Sequence, residues 1–97
     1  MTGQYRLSPA ARSDLDEIWD YSAEQWGPDQ ADNYVLDLIG AIERIASGKR
    51  HGRPCDNIRA GYFKFACQSH LIFYKKEKDA VVLIRVLHQR MDFNRRL

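Results

Sequence analysis

The chain has 97 residues, 44% of them hydrophobic and 29% charged, with only three prolines, so a single domain with a modest core is expected and a second domain is excluded. No stretch approaches the roughly 18 to 20 consecutive apolar residues of a membrane span, and the opening Met1-Thr2-Gly3-Gln4-Tyr5 lacks a basic region leading into an apolar one, which makes a soluble, cytoplasmic protein the expectation. Cys55 and Cys67 are too few for a disulfide framework or a four-ligand zinc site and do not form a Cys-x-x-Cys pair.

The net charge of +2 hides an asymmetry. Residues 1–47 hold three Lys/Arg against nine Asp/Glu, a net of −6, whereas residues 48–97 hold twelve against four, a net of +8. Such a chain either offers a basic face to an acidic partner or carries two solvated faces of opposite sign.

Gln4-Tyr5-Arg6-Leu7 alternates polar and apolar residues and reads as a short strand. Ser8 can cap the helix that Pro9 opens. Ala11, Leu15, Ile18, Trp19, Ser22 and Trp26 recur at helical spacing as its buried stripe, leaving Asp14, Asp16, Glu17, Asp20 and Glu24 largely outside. Gly27-Pro28 ends this helix and starts a second, antiparallel one, whose broad apolar face holds Ala31, Tyr34, Val35, Leu38, Ile39, Ile42, Ile45 and Ala46 before Ser47-Gly48 stops it. Residues 48–61 read as a long basic connection, of a length that tends to be functional in a small domain.

Three β-type runs follow, Tyr62 to Cys67, His70 to Lys75 and Ala80 to His88. Alternation puts Phe63, Phe65 and Cys67 on one face against Tyr62, Lys64 and Ala66, and Val82, Ile84 and Val86 against Leu83, Arg85 and Leu87. The predicted fold is α+β in the order β-α-α-β-β-β, a helical hairpin packed on one face of a small antiparallel sheet, with part of the basic charge on the other face. The tail from Gln89 to Leu97 follows as a polar extension.

His51, His70, His88 and the cysteines are the plausible nitrogen and sulfur metal ligands, and none stands at a paired ligand spacing, so no metal site is expected. Phosphate-loop, dinucleotide and Gly-x-Ser-x-Gly patterns are also missing, which argues against nucleotide cofactors and serine hydrolysis. The remaining polar set is Arg59, Tyr62, Lys64, Lys75, Arg85, His88, Gln89 and Arg90. A metal-free ribonuclease could use it, cations holding the scissile phosphate and His or Tyr moving protons, or the same residues could merely solvate an uncovered sheet face. Tyr21 and Leu36 lie off their helical stripes as candidate anchors for an amphipathic partner.

Four stretches resemble the ParE toxins of the RelE/ParE superfamily: Tyr5 to Ala11 into Asp14 to Trp19; Trp26 to Ala31; His51-Gly52-Arg53-Pro54 with Asp56 to Arg59; and Ile72-Phe73-Tyr74 with Ile84 to Asp92. The resemblance implies the β-α-α-β-β-β fold and a bacterial type II toxin that binds and poisons DNA gyrase and is neutralised by a ParD-like antitoxin in a hetero-oligomer. It implies neither a cofactor nor sequence-specific nucleic-acid binding. The RelE branch, which shares the fold, cuts mRNA on the ribosome, and its catalytic places would fall on Lys64, Arg85 and His88. The continuation Gln89-Arg90-Met91-Asp92 resembles ParE instead, while Tyr62-Phe63-Lys64-Phe65 and Cys67 depart from the family's second strand. The sites expected are His88, Gln89, Arg90, Arg95 and Arg96 for the target and Tyr21, Leu36, Arg59 and Arg85 for the antitoxin. The tail is expected to serve the toxic interaction; the competing reading has Phe93 and Leu97 packing back onto the sheet.

Overall fold

The computed structural model describes residues 4–91 and 93–97. Strand β1 (Tyr5–Leu7) leads into α1 (Pro9–Trp26) and α2 (Pro28–Ala46). Strands β2 (Arg53–Pro54), β3 (Tyr62–Cys67), β4 (His70–Lys76) and β5 (Val81–His88) follow, and α3 (Phe93–Arg96) closes the chain. The sheet order is β1-β5-β4-β3-β2. The sheet is mixed: β1 runs parallel to β5, and the other pairings are antiparallel.

Ser8 begins α1 and fastens it to the sheet. Its hydroxyl accepts from the Ala11 N–H at 2.9 Å and donates to the Ile84 carbonyl at 2.8 Å. Capping thus satisfies an otherwise unpaired N–H of the first turn. Gly27, at φ +93°, ends α1 and precedes Pro28 at the head of α2, a backbone conformation that a side chain would strain.

The hairpin buries Ala11, Leu15 and Ile18 of α1 and Leu38, Ala41, Ile42 and Ile45 of α2 against Ile72, Tyr74, Val81, Leu83 and Val86. Phe63, Phe65 and Cys67 pack at its edge, on the face their alternation predicts. Such burial of aliphatic side chains supplies most of the stabilisation of a small domain.

The opposite face departs from expectation. A second cluster of Cys55, Phe73 and Leu87, flanked by Ile58, Tyr62, Leu71, Ile84 and Leu97, covers part of it. The face expected to carry solvated basic charge therefore carries apolar packing contributed by the 55–58 segment and the tail. The 48–61 connection also contains β2, which pairs Arg53 with Lys64 and Pro54 with Phe63.

Strand β5 corrects the predicted alternation. Tyr74 pairs with Leu83 and Phe73 with Arg85, so Ile84 is an extra residue. This bulge shifts every residue beyond it by one face. Leu83 and Val86 therefore share the helix side, while Ile84 and Leu87 join the second cluster. Trp26, expected in the α1 stripe, is 62% exposed, and Asp14, expected outside it, is 6% exposed. No helix among the described residues is long and apolar enough to cross a membrane.

Candidate functional site

A cleft of about 460 Å³ opens where α1 passes the ends of β4 and β5. Ile18, Tyr21, Trp26, Val86 and Met91 give it apolar walls, and Tyr34, Ser69, His70 and His88 approach from the other side. Helical spacing explains the first wall: Ile18, Tyr21 and Ser22 lie within about one turn of one another, and Trp26 follows one turn beyond Ser22. The Tyr21 and Trp26 rings stand at 83° with centroids 6.2 Å apart, and both residues are more than half exposed.

The polar wall is a connected set. The Ser69 N–H donates to the Tyr34 hydroxyl at 3.1 Å, and the same hydroxyl shares a 2.7 Å hydrogen bond with His70 Nδ1. Burial, and then the neighbouring His88, push the His70 pKa down to about 4, against a smaller upward pull from Asp14. The two imidazoles meet edge to face with centroids 5.3 Å apart, His70 facing His88 across the β4–β5 pair. His88 Nδ1 accepts the Arg90 N–H at 3.2 Å.

Beneath the cleft, Asp14 receives Arg85 through two 2.8 Å bonds and the Val86 N–H at 2.9 Å. The Asp14 hydrogen bond raises the Arg85 pKa above its ordinary value, against a smaller effect of burial. Arg85 also donates to the Arg96 main-chain oxygen at 3.0 Å, and Arg59 to the Leu97 main-chain oxygen at 2.7 Å.

The residues nominated from sequence are thus dispersed. His88 lines the cleft, as does Tyr21, while Leu36 is exposed on α2 outside the cleft lining. Gln89, Arg90, Arg95 and Arg96 are exposed beyond β5, and the Gln89 side chain donates to the Gln68 carbonyl at 3.1 Å. Arg59 and Arg85, nominated as charges for an antitoxin, hold the tail, and Arg85 holds Asp14 as well. Lys64 alternates with Phe63 and Phe65 of the hairpin side, so it lies on the opposite sheet face from His88, which shares the side of Val86.

Asp14, Tyr34, His70, Trp26 and Met91 were not singled out for the site. Asp14 had a legible signal: it stands three residues after Ala11 and four before Ile18, a carboxylate on an apolar stripe that must find a buried partner. Among the described residues no group of three or more His, Cys, Asp or Glu side chains is placed to hold a metal ion.

Residues 5–93 match the family described as "ParE toxin of type II toxin-antitoxin system, parDE". The chain is 48% identical to "Toxin ParE1" of Mycobacterium tuberculosis over 98 aligned residues, covering all of both chains. It is also 48% identical to "Toxin ParE1" of Caulobacter vibrioides over 88 residues, 91% of each chain. Among solved structures, the chromosomal ParDE system of P. aeruginosa matches with a TM-score of 0.78 at 18% identity, over 90% of this chain and 96% of that one. The RelBE2 toxin–antitoxin complex of M. tuberculosis matches at 0.61 and 23%, over 92% of this chain and all of that one, so the fold spans both branches.

Proposed function

The chain belongs to the ParE toxin family of type II toxin–antitoxin systems, and from that premise we propose that it acts as a cytoplasmic toxin domain that inhibits DNA gyrase by binding, without catalysis of its own, and that a ParD-like antitoxin neutralises it. The observation that carries binding over RNA cleavage is the dispersal of Lys64, Arg85 and His88. Metal-free cleavage needs a phosphate-holding cation and a proton-transferring group around one reacting centre. Here Lys64 and His88 lie on opposite faces of the sheet, and the Arg85 guanidinium is already held by Asp14. A phosphate that took Arg85 would strand a buried carboxylate, which costs several kcal/mol by order of magnitude.

A paired assay tests this reading. Purified protein is expected to inhibit gyrase supercoiling and to leave messages whole in a cell-free translation mix. Cleaved messages with gyrase unaffected, and loss of that cleavage in His88→Ala or Lys64→Ala, would reverse it in favour of a RelE-type ribosome-dependent endoribonuclease. Neither effect, with no growth arrest on expression, would leave an interaction module without toxicity.

A further inference from the structure

The wall of the cleft formed by α1 combines two features that together select a guest. Tyr21 and Trp26 present perpendicular rings, and the two residues remain 60% and 62% exposed, which leaves aromatic surface open to solvent. The charged side chains among the cleft's lining residues are Asp14 and Glu17, both acidic. Asp14 is paired with Arg85, whereas Glu17 is exposed and, among the described residues, makes no ion pair, acting on the Arg85 charge only from a greater distance. Asp16, Asp20 and Glu24 continue the exposed acidic face of the same helix, whose only basic residue, Arg12, lies near the opposite end. His70, titrating at about 4, adds no positive charge at neutral pH.

We propose that this cleft docks a partner-protein segment that places one arginine or lysine against the Tyr21 and Trp26 rings beside Glu17, with flanking apolar side chains on Ile18, Val86 and Met91. An aromatic face attracts a cation through its quadrupole, and the attraction grows as water is excluded. The acidic flank repels nucleic acid and acidic peptides, which leaves a basic, apolar-flanked peptide as the complementary occupant. This assignment reverses the sign expected for a partner of the basic half of the chain: here the toxin supplies the acid. It rests on the reading that the protein works through protein partners, whichever of them supplies the segment.

Three acetylated, amidated pentapeptides, Ala-Leu-X-Leu-Ala with X as arginine, norleucine or glutamate, test it against the full chain. Binding is read from the NMR shifts of the Trp26 indole N–H and the Met91 methyl. The arginine peptide should bind about fivefold tighter than the norleucine peptide and about tenfold tighter than the glutamate peptide. Added salt should narrow the second gap. Trp26→Leu should reduce the arginine peptide to the norleucine level, Trp26→Phe should retain most of the preference, and Glu17→Gln should weaken it. Equal binding of arginine and norleucine, tighter binding of glutamate, or no shift at Trp26 with any peptide overturns the proposal. Thermal midpoints of the variants separate a lost site from a lost fold. Because the measurement uses neither gyrase nor antitoxin, its failure is distinct from failure of the supercoiling assay.

Discussion

Asp14 and Arg85 lie 71 positions apart and meet through two 2.8 Å hydrogen bonds, with the Val86 N–H adding a third to the same carboxylate. The first helix is therefore fixed to the last strand by a polar contact at the floor of the cleft as well as by apolar packing. Asp14→Ala leaves a guanidinium and a buried N–H without their acceptor and should cost about 3 kcal/mol. For a chain of this size that lowers the thermal midpoint by more than about 10 °C. Replacing both partners with leucine should recover part of the loss, since neither charge is then stranded. An Asp14→Ala midpoint close to that of the parent protein would show that the ion pair does not secure α1.

His70 should make the fold acid-sensitive in a defined window. Its imidazole titrates at about 4 when folded against 6.5 for the free group. Between those values the unfolded chain takes up a proton that the folded chain refuses, so the stability is fully present above 6.5 and is lost as the pH falls toward 4. With solvent screening taken into account, the contribution is about 1–2 kcal/mol. The His70 Hε1 resonance should titrate near the lower value, and His70→Asn should flatten the acid limb of a urea-midpoint profile. A midpoint near 6.5 would show that burial and the neighbouring His88 do not keep the ring neutral.

The parts of this molecule that were legible in its sequence are those governed by local rules. Ser8-Pro9 and Gly27-Pro28 set the helix boundaries because capping and proline geometry act within one turn, and Tyr62 to Cys67 alternated as its faces require. The β5 faces were misread because a bulge is a relation between two strands: Ile84 is extra only with respect to Phe73 and Tyr74. Strand β2, two residues long, has no period to detect and exists through its pairing with β3. Trp26 was misplaced because the stripe runs past the point where the sheet still covers α1. Arg59 and Arg85 looked like free cations because their distant acceptors, two main-chain oxygens of the tail and, for Arg85, one carboxylate 71 residues away, leave no mark in composition.

Gly52 shows a close approach that no turn pattern revealed. A Cβ there would stand 2.5 Å from the Lys64 carbonyl oxygen and 2.9 Å from the Tyr74 hydroxyl, which accepts the Gly52 N–H at 2.7 Å. Burial raises the Tyr74 pKa, and the Gly52 bond opposes this in part. Gly52→Ala must push the segment before β2 away from β3 and should cost about 2 kcal/mol. Tyr74→Phe, which removes only the acceptor, should cost about 1 kcal/mol. Urea denaturation measures both, and an alanine variant as stable as the parent would mean that the segment shifts freely.

The tail supplies the last prediction, and here the structure changes the expected outcome. From sequence, removal of residues 94–97 should spare the fold and remove toxicity. Instead, Leu97 packs against the cluster of Cys55, Phe73 and Leu87, and Arg59 and Arg85 donate to the Leu97 and Arg96 main-chain oxygens. Truncation before Asn94 therefore strips apolar cover from the second sheet face and removes a solvent-exposed acceptor from each arginine. A loss of about 1–3 kcal/mol is expected, seen as a lower thermal midpoint. Leu97→Ala should produce part of that loss with the chain length unchanged. Arg96→Ala removes an exposed positive charge but keeps the main-chain oxygen that Arg85 uses, so it should hold the midpoint near that of the parent. Growth arrest measured on that variant separates the two roles: arrest lost at an intact midpoint assigns Arg96 to the target, and arrest retained favours a tail that serves the fold.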